Sequence, residues 1–406
     1  MKSKIMALAL FAVTAASVVF YPSFQTVGAN TPTSTTPLPI ELPVVDPITN
    51  ERPRVEVVFV LDTTGSMGGL IQAAKEKIWS IATNLASAQP APEIRMGLVA
   101  YRDRGDRYVT QVVDLSTDLD SLYARLMDFQ ADGGGDGPES VNQALYDAIH
   151  KVSWSQDPQT YQAVFLVGDA PPHMDYPNDV KYPQTLAAAR QQGIRVNAIQ
   201  CGQNPPTTQI WERIAQLGQG DYFQVEQAGS AVAIATPFDE RLAKLSAKLD
   251  DIRLYYGTDE EKEKQQRKVA ATTKLHTSAS VESRARRAAF NASKSGESNL
   301  LGEGELIDEV ASGRVDLSDI EPDQLPASLQ SMTPEAQQAL IEEKAVRRSE
   351  LQQEIRDLAE KRSGFLKRKV EEIGGAEASL DHKIYDAVRA QAGTKGLSYE
   401  ADALDY

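Results

Sequence analysis

Between Arg54 and Asp251 the chain alternates short, almost unbroken apolar runs with amphipathic helical patterns, and this alternation narrows the fold more than any other feature. Val55–Leu61, Ile94–Tyr101, Val109–Leu115, Ala163–Val167, Val196–Cys201 and Tyr222–Val225 predict strands. Leu70–Ala88, Leu119–Phe129, Pro138–Val152, Pro183–Gln192, Pro206–Leu217 and Ser230–Leu249 predict helices. A strand that is apolar at nearly every position must be covered on both faces, which is the condition of a mainly parallel sheet. The second and third strands lie too close in sequence for a crossover helix and predict a hairpin. The expected fold class is α/β: a doubly wound, mainly parallel six-stranded sheet with helices on both faces, one antiparallel edge strand and a Rossmann-like layout. Ligands then belong at the carboxyl ends of the strands.

The flanks read differently. Residues 1–29 have Lys2 and Lys4 ahead of an apolar stretch from Ile5 to Tyr21, then Val27-Gly28-Ala29, which predicts a secretory signal peptide cut after Ala29. The alternative is an uncleaved membrane anchor, the apolar run being long for a signal and short for a span of roughly 20 residues. The expectation is export, to a periplasmic, cell-surface or extracellular location. Residues 30–53 are rich in Pro and Thr and predict an extended linker. Residues 54–251 form the α/β domain, and residues 252–406 a charged, mainly helical C-terminal region. In that region Leu351, Ile355, Leu358 and Phe365 recur at coiled-coil spacing, but Arg362 interrupts the seam, which favours a helical hairpin or a docked helix over a long coiled coil. With 41% hydrophobic residues the chain can bury a full core, and a formal net charge of −15 argues against nucleic acid and anionic membranes as partners. The single cysteine, Cys201, sits in an apolar run and predicts a buried structural thiol.

Chemistry concentrates where strands end. FVLDTTGSMGG, residues 59–69, closes the first strand on Asp62 and follows it with Thr64 and Ser66, three oxygen side chains at alternate positions. Mg²⁺ takes one or two carboxylates and completes its shell with hydroxyls and waters, so the spacing suits a hard cation. Two further loops reach the same rim: DGGGDGPES, residues 132–140, with Asp136 at its centre, and Gly168-Asp169 after the fourth strand. The structural alternative for Asp136 is a cap on the helix starting at Pro138.

This pattern resembles the von Willebrand factor A domain and its metal ion-dependent adhesion site. The family's Asp-x-Ser-x-Ser appears as Asp62-Thr63-Thr64-Gly65-Ser66, with a typical Gly-Ser-Met continuation, and its late aspartate as Asp169 in LVGDAPPH. The resemblance covers roughly residues 54–250. It implies a metal set of Asp62, Thr64, Ser66, Asp136 and Asp169, with Mg²⁺ as the ion and Ca²⁺ or Mn²⁺ as alternatives. It also implies a protein partner bound at the metal rim and no enzymatic activity. Asp136 departs from adhesive members, which place a threonine in the middle loop. Three carboxylates around one divalent ion leave a net charge of about −1, which attracts an anionic partner group less and predicts a tighter, more structural or regulatory site.

Two other readings compete. Asp62-Thr63-Thr64-Gly65-Ser66 also resembles the phosphorylated motif of haloacid dehalogenase-like phosphotransferases, but Thr63 stands where pumps have lysine and soluble phosphatases a second aspartate. In the other, the metal site is structural and the C-terminal helices act as a scaffold or self-association element. Elsewhere, Tyr101-Arg102-Asp103 ends the second strand, where it either lines the rim or leaves Arg102 and Asp103 as a solvated pair; His173, just after Asp169, either faces the site or is structural; and SRARRAAF (residues 283–290) reads as one face of an exposed helix.

Overall fold

A computed structural model describes residues 52–135, 137–229, 234–373 and 379–400. Residues 1–51, where the signal peptide and most of the linker are expected, and Asp136 lie outside the described residues. Six strands form one sheet: β1 Arg54–Asp62, β2 Glu93–Tyr101, β3 Thr110–Ser116, β4 Tyr161–Gly168, β5 Arg195–Cys201 and β6 Gln219–Val225. Their order is β3-β2-β1-β4-β5-β6, with β3 antiparallel to β2 and every other pairing parallel. The apolar runs account for this. RVEVVFVLD is buried at every position but its first and occupies the middle of the sheet, whereas the mixed QGDYFQV forms an edge.

Around the sheet lie α1 Gly68–Ala86, α2 Leu119–Asp128, α3 Val141–His150, α4 Tyr182–Gln191 and α5 Pro205–Leu217. The helix expected over 230–249 runs as α6 Asp239–Asp250; residues 230–233 lie outside the described residues. On one face Phe59, Leu61 and Phe165 pack with Trp79 and Tyr123, and on the other Val58, Val60 and Leu166 pack with Leu145 and Trp211. Cys201 is buried and free of disulfides.

The C-terminal helices are α7 Asp259–Ser278, α8 Val281–Asn291, α9 Glu297–Leu301, α10 Leu306–Ala311, α11 Pro334–Ile373 and α12 Leu380–Ala392. Leu275, Phe290, Ile384, Ala387 and Val388 enter the same apolar core as α1 and the sheet. The 40-residue α11 lies against α6, α8 and α10, burying Ile341, Leu351 and Ile355 within the chain. Arg362, the residue that interrupts the heptad seam, is 1% exposed and donates to Asp239 Oδ1 at 2.8 Å, so its position is an internal ion pair. The SRARRAAF segment is also not an exposed face: Arg286 and Arg287 are 1% and 0% exposed. Arg287 is held between Asp120 on α2 and Asp250 on α6, which satisfies its guanidinium and lets an arginine-rich helix go inside. No helix among the described residues is long and apolar enough to cross a membrane.

Candidate metal centre

Parallel strands end on the same edge of a sheet, so the carboxyl ends of β1 and β4 deliver Asp62 and Asp169 to neighbouring places. Asp62 is 0% exposed. Its Oδ1 accepts from the Thr64 backbone N–H at 2.8 Å and from Thr64 Oγ1 at 2.6 Å, the local turn that an aspartate two residues before a hydroxyl favours. Its Oδ2 is buried and has no hydrogen-bond partner among the described residues. The buried Tyr101 hydroxyl lies near this carboxylate, close enough to favour its charged form, and Gly168 makes room for both. A Cβ on Gly168 would sit 2.4 Å from the Tyr101 hydroxyl and 3.1 Å from Asp62 Oδ2.

The first loop is tied to the middle loop through the backbone. The Gly65 N–H donates to Gly133 O at 3.1 Å, and the Asp132 N–H to Thr63 O at 3.2 Å. Gly134 has φ +77°, and its absent side chain leaves space for Thr64 and for Glu139 Oε1. Thr64 is buried, Ser66 exposed, and Asp169 half-buried with its Oδ2 accepting from Gln227 Nε2 at 2.7 Å. Asp62, Thr64 and Asp169 thus come together at the strand ends, with Ser66 on the open side of the same turn.

Glu139 is a member that sequence reasoning missed, although it stands in the quoted DGGGDGPES. It is 4% exposed and its Oε2 has no hydrogen-bond partner among the described residues. Burial, then the charges of Asp62, Asp103, Asp106 and Asp169, push its carboxyl up to about 9. Burial, opposed by the Thr64 hydrogen bonds and reinforced by Asp169, pushes Asp62 up to about 7. Burial and the Asp169 and Asp62 carboxylates also push the Cys201 thiol up, keeping it protonated.

Arg102 and Asp103 are 4% and 6% exposed, which decides against the solvated pair and for the alternative in which this segment belongs to the rim. Arg102 donates to the carbonyls of Thr63 and Gln130, bracing the loops. Asp103 accepts from Ser140 Oγ at 2.8 Å and the Tyr176 hydroxyl at 2.7 Å, placing a further acid beneath the rim. His173 stacks on Tyr176 with ring centroids 4.0 Å apart and bonds Asp175 through Nδ1 at 2.8 Å, a structural role.

Among the described residues no three His, Cys, Asp or Glu side chains group closely enough to hold an ion by themselves. The donor set here is of another kind, two carboxylates with threonine and serine hydroxyls, and the orphaned Asp62 Oδ2 is the group in it that lacks a positive partner. These residues fit a hard divalent cation.

Residues 56–237 match the von Willebrand factor A domain family profile, and over that span the chain carries such a domain. Von Willebrand factor A domain-containing protein 7 of rat is 34% identical over 120 residues, covering 30% of this chain and 12% of that protein. The Dictyostelium discoideum alpha-protein kinase vwkA is 30% identical over 123 residues, covering 29% of this chain and 19% of that one. The chain therefore spans less than one-fifth of the length of these relatives. Among solved structures, the SpRpn10 VWA domain is 13% identical with a TM-score of 0.34, covering 44% of this chain and 91% of that chain. Proximal thread matrix protein 1 of the mussel byssus is 14% identical, also with a TM-score of 0.34, covering 43% of this chain and 42% of that chain. A von Willebrand factor A domain points to protein interaction or adhesion as its task.

Proposed function

We propose that this is an exported protein, without enzymatic activity, that binds another protein through a divalent cation at the rim of its von Willebrand factor A domain. The observation that carries the reading is Asp62: fully buried, beside a second carboxylate, with one oxygen left without a partner. A buried carboxylate in that state is costly unless a cation or a proton compensates it. Asp62, Thr64, Ser66 and Asp169 would hold the ion, with Asp136 as the proposed fifth member, and Mg²⁺ suits such an oxygen set. The bound ion would supply a positive centre that joins the loops and presents a coordination position to a partner. Asp103, buried nearby, and Glu139, once a bound cation displaced its proton, would add negative field that favours a doubly charged ion.

The phosphotransfer reading loses support at the same place. A buried Asp62 whose Oδ1 is occupied by Thr64 has no lysine at Thr63 to balance charge on a transferred group. The scaffold reading draws nothing from α11, whose large apolar residues are mostly used inside the chain.

Calorimetric titration of Mg²⁺, Mn²⁺ and Ca²⁺ into the chelator-treated full chain, beside Asp62→Ala, tests the proposal. Saturable binding in the parent and its loss in the variant is the expected result. A folded parent that binds none of the three ions would sink it. The full chain is required because a fragment ending at Asp251 would uncover the core residues that Leu275, Phe290 and Ile384 pack against.

A further inference from the structure

We infer that a groove beside the metal rim, between the start of β3 and the end of α2, docks an acidic segment of the protein partner. This rests on the proposed reading only in taking the partner to be a protein. The groove encloses about 590 Å³ and is walled by Arg107 and Arg125, with Tyr108, Gln111 and Phe129 between them. Both arginines are exposed, and among the described residues neither makes an ion pair or a hydrogen bond.

The acids that line the groove are already engaged. Asp128 is paired with Lys274 at 2.6 Å, and Asp132 with Arg102 at 3.4 Å. Two uncompensated guanidiniums therefore stand on a chain whose formal net charge is −15. A guanidinium presents a planar fork of donors that matches a carboxylate, so the groove selects anionic side chains.

The groove and the metal loop are one hydrogen-bonded piece. The Tyr108 hydroxyl shares a 2.7 Å hydrogen bond with Thr63 Oγ1, and Arg102 donates to Thr63 O at 3.1 Å while lying 4.6 Å from the Tyr108 ring centroid. Thr63 stands between Asp62 and Thr64. The rim has surplus negative charge and by itself attracts an acidic partner weakly, and the groove supplies the missing attraction a few residues away. A nucleic acid would also meet the arginines, but its dense phosphates would be repelled by the acidic rim and by the chain as a whole. A short acidic peptide brings fewer charges and suits the groove better.

The test is fluorescence anisotropy with the full chain in Mg²⁺, using a labelled decapeptide of alternating glutamate and alanine and its glutamine counterpart. The glutamate peptide should bind and the glutamine peptide should not. Arg107→Glu/Arg125→Glu should weaken binding at least about tenfold, more at low salt, with an unchanged melting temperature because both side chains are exposed. Arg107→Gln/Arg125→Gln should give an intermediate loss. Equal binding by parent and reversal, no binding by the parent, or tighter binding of a single-stranded oligothymidylate would each overturn the inference. The two proposals separate cleanly. Arginine-dependent binding that survives chelator and Asp62→Ala keeps the groove and removes the cation from partner binding, whereas chelator-sensitive binding indifferent to the arginines does the reverse.

Discussion

Two places in this molecule bury carboxylates close together, and they are compensated in opposite ways. At the junction of α2, α6 and α8, Asp120 and Asp250 flank Arg287, with contacts of 2.5 and 2.6 Å to Asp120 and 2.7 and 3.0 Å to Asp250, and His276 adds a 2.7 Å contact to Asp250. Burial there pushes both carboxyls toward neutrality, but the Arg287 charge outweighs it and holds them below the usual carboxylate range. At the rim, Asp62 and Glu139 are also buried, yet no arginine or lysine stands between them, and both are raised. The fold internalises a cation where the carboxylates are structural. Where it does not, compensation must come from outside the fold, as protons or as a bound cation, and the proposed metal at the rim is the second of these.

The largest expected effect breaks the junction. Arg287→Met should cost about 3 to 5 kcal/mol at pH 7 by stranding two buried carboxylates, measured by urea denaturation. In the parent, two depressed carboxylates contribute stability at neutral pH that is lost only as pH falls below about 4, through their folded values. In the variant the deficit should shrink on acidification, because the stranded groups take up protons. A deficit that stays constant from pH 7 to pH 4 would show that charge compensation is not the role of Arg287.

At the rim, Mg²⁺ at a hundredfold excess over its Kd should stabilise the full chain by about 2.7 kcal/mol, seen as a rise in melting temperature. Asp62→Ala should abolish the rise. Equal stabilisation in both proteins would place the ion elsewhere.

A smaller effect comes from protons alone. Because the folded values of Asp62 and Glu139 are raised, to about 7 and about 9, their contribution to stability is present at low pH and lost as pH rises. Metal-free protein should therefore gain about 1 kcal/mol or more between pH 8 and pH 6, and saturating Mg²⁺ should flatten or invert that trend by competing with the protons. A metal-free stability that falls over the same interval would contradict the contrast between the two regions.

The smallest change is Gln227→Ala, which removes the 2.7 Å hydrogen bond to Asp169 Oδ2. Cation affinity should drop by less than about 1 kcal/mol, a few-fold in calorimetry. A complete loss would make Gln227 part of the site itself.

Much of this was legible in the sequence. Apolar runs of strand length separated by helical patterns determined the sheet, its antiparallel hairpin, and the placement of Asp62 and Asp169 at neighbouring strand ends. Local chemistry determined the Asp62–Thr64 turn, since a carboxylate reaches a backbone N–H two residues on whatever surrounds it. Only the tertiary structure decided the rest. Arg287 pairs with Asp120 across 167 positions, and Arg362 with Asp239 across 123, so a basic run and an interrupted heptad became internal ion pairs. Glu139 went unmarked within DGGGDGPES, and only packing buried it near Asp62. Periodicity along the chain reports which face of an element is apolar, because neighbours a few residues apart share that face. Whether a charged residue faces water or a distant counter-charge depends on which elements pack together, and local spacing has no record of that.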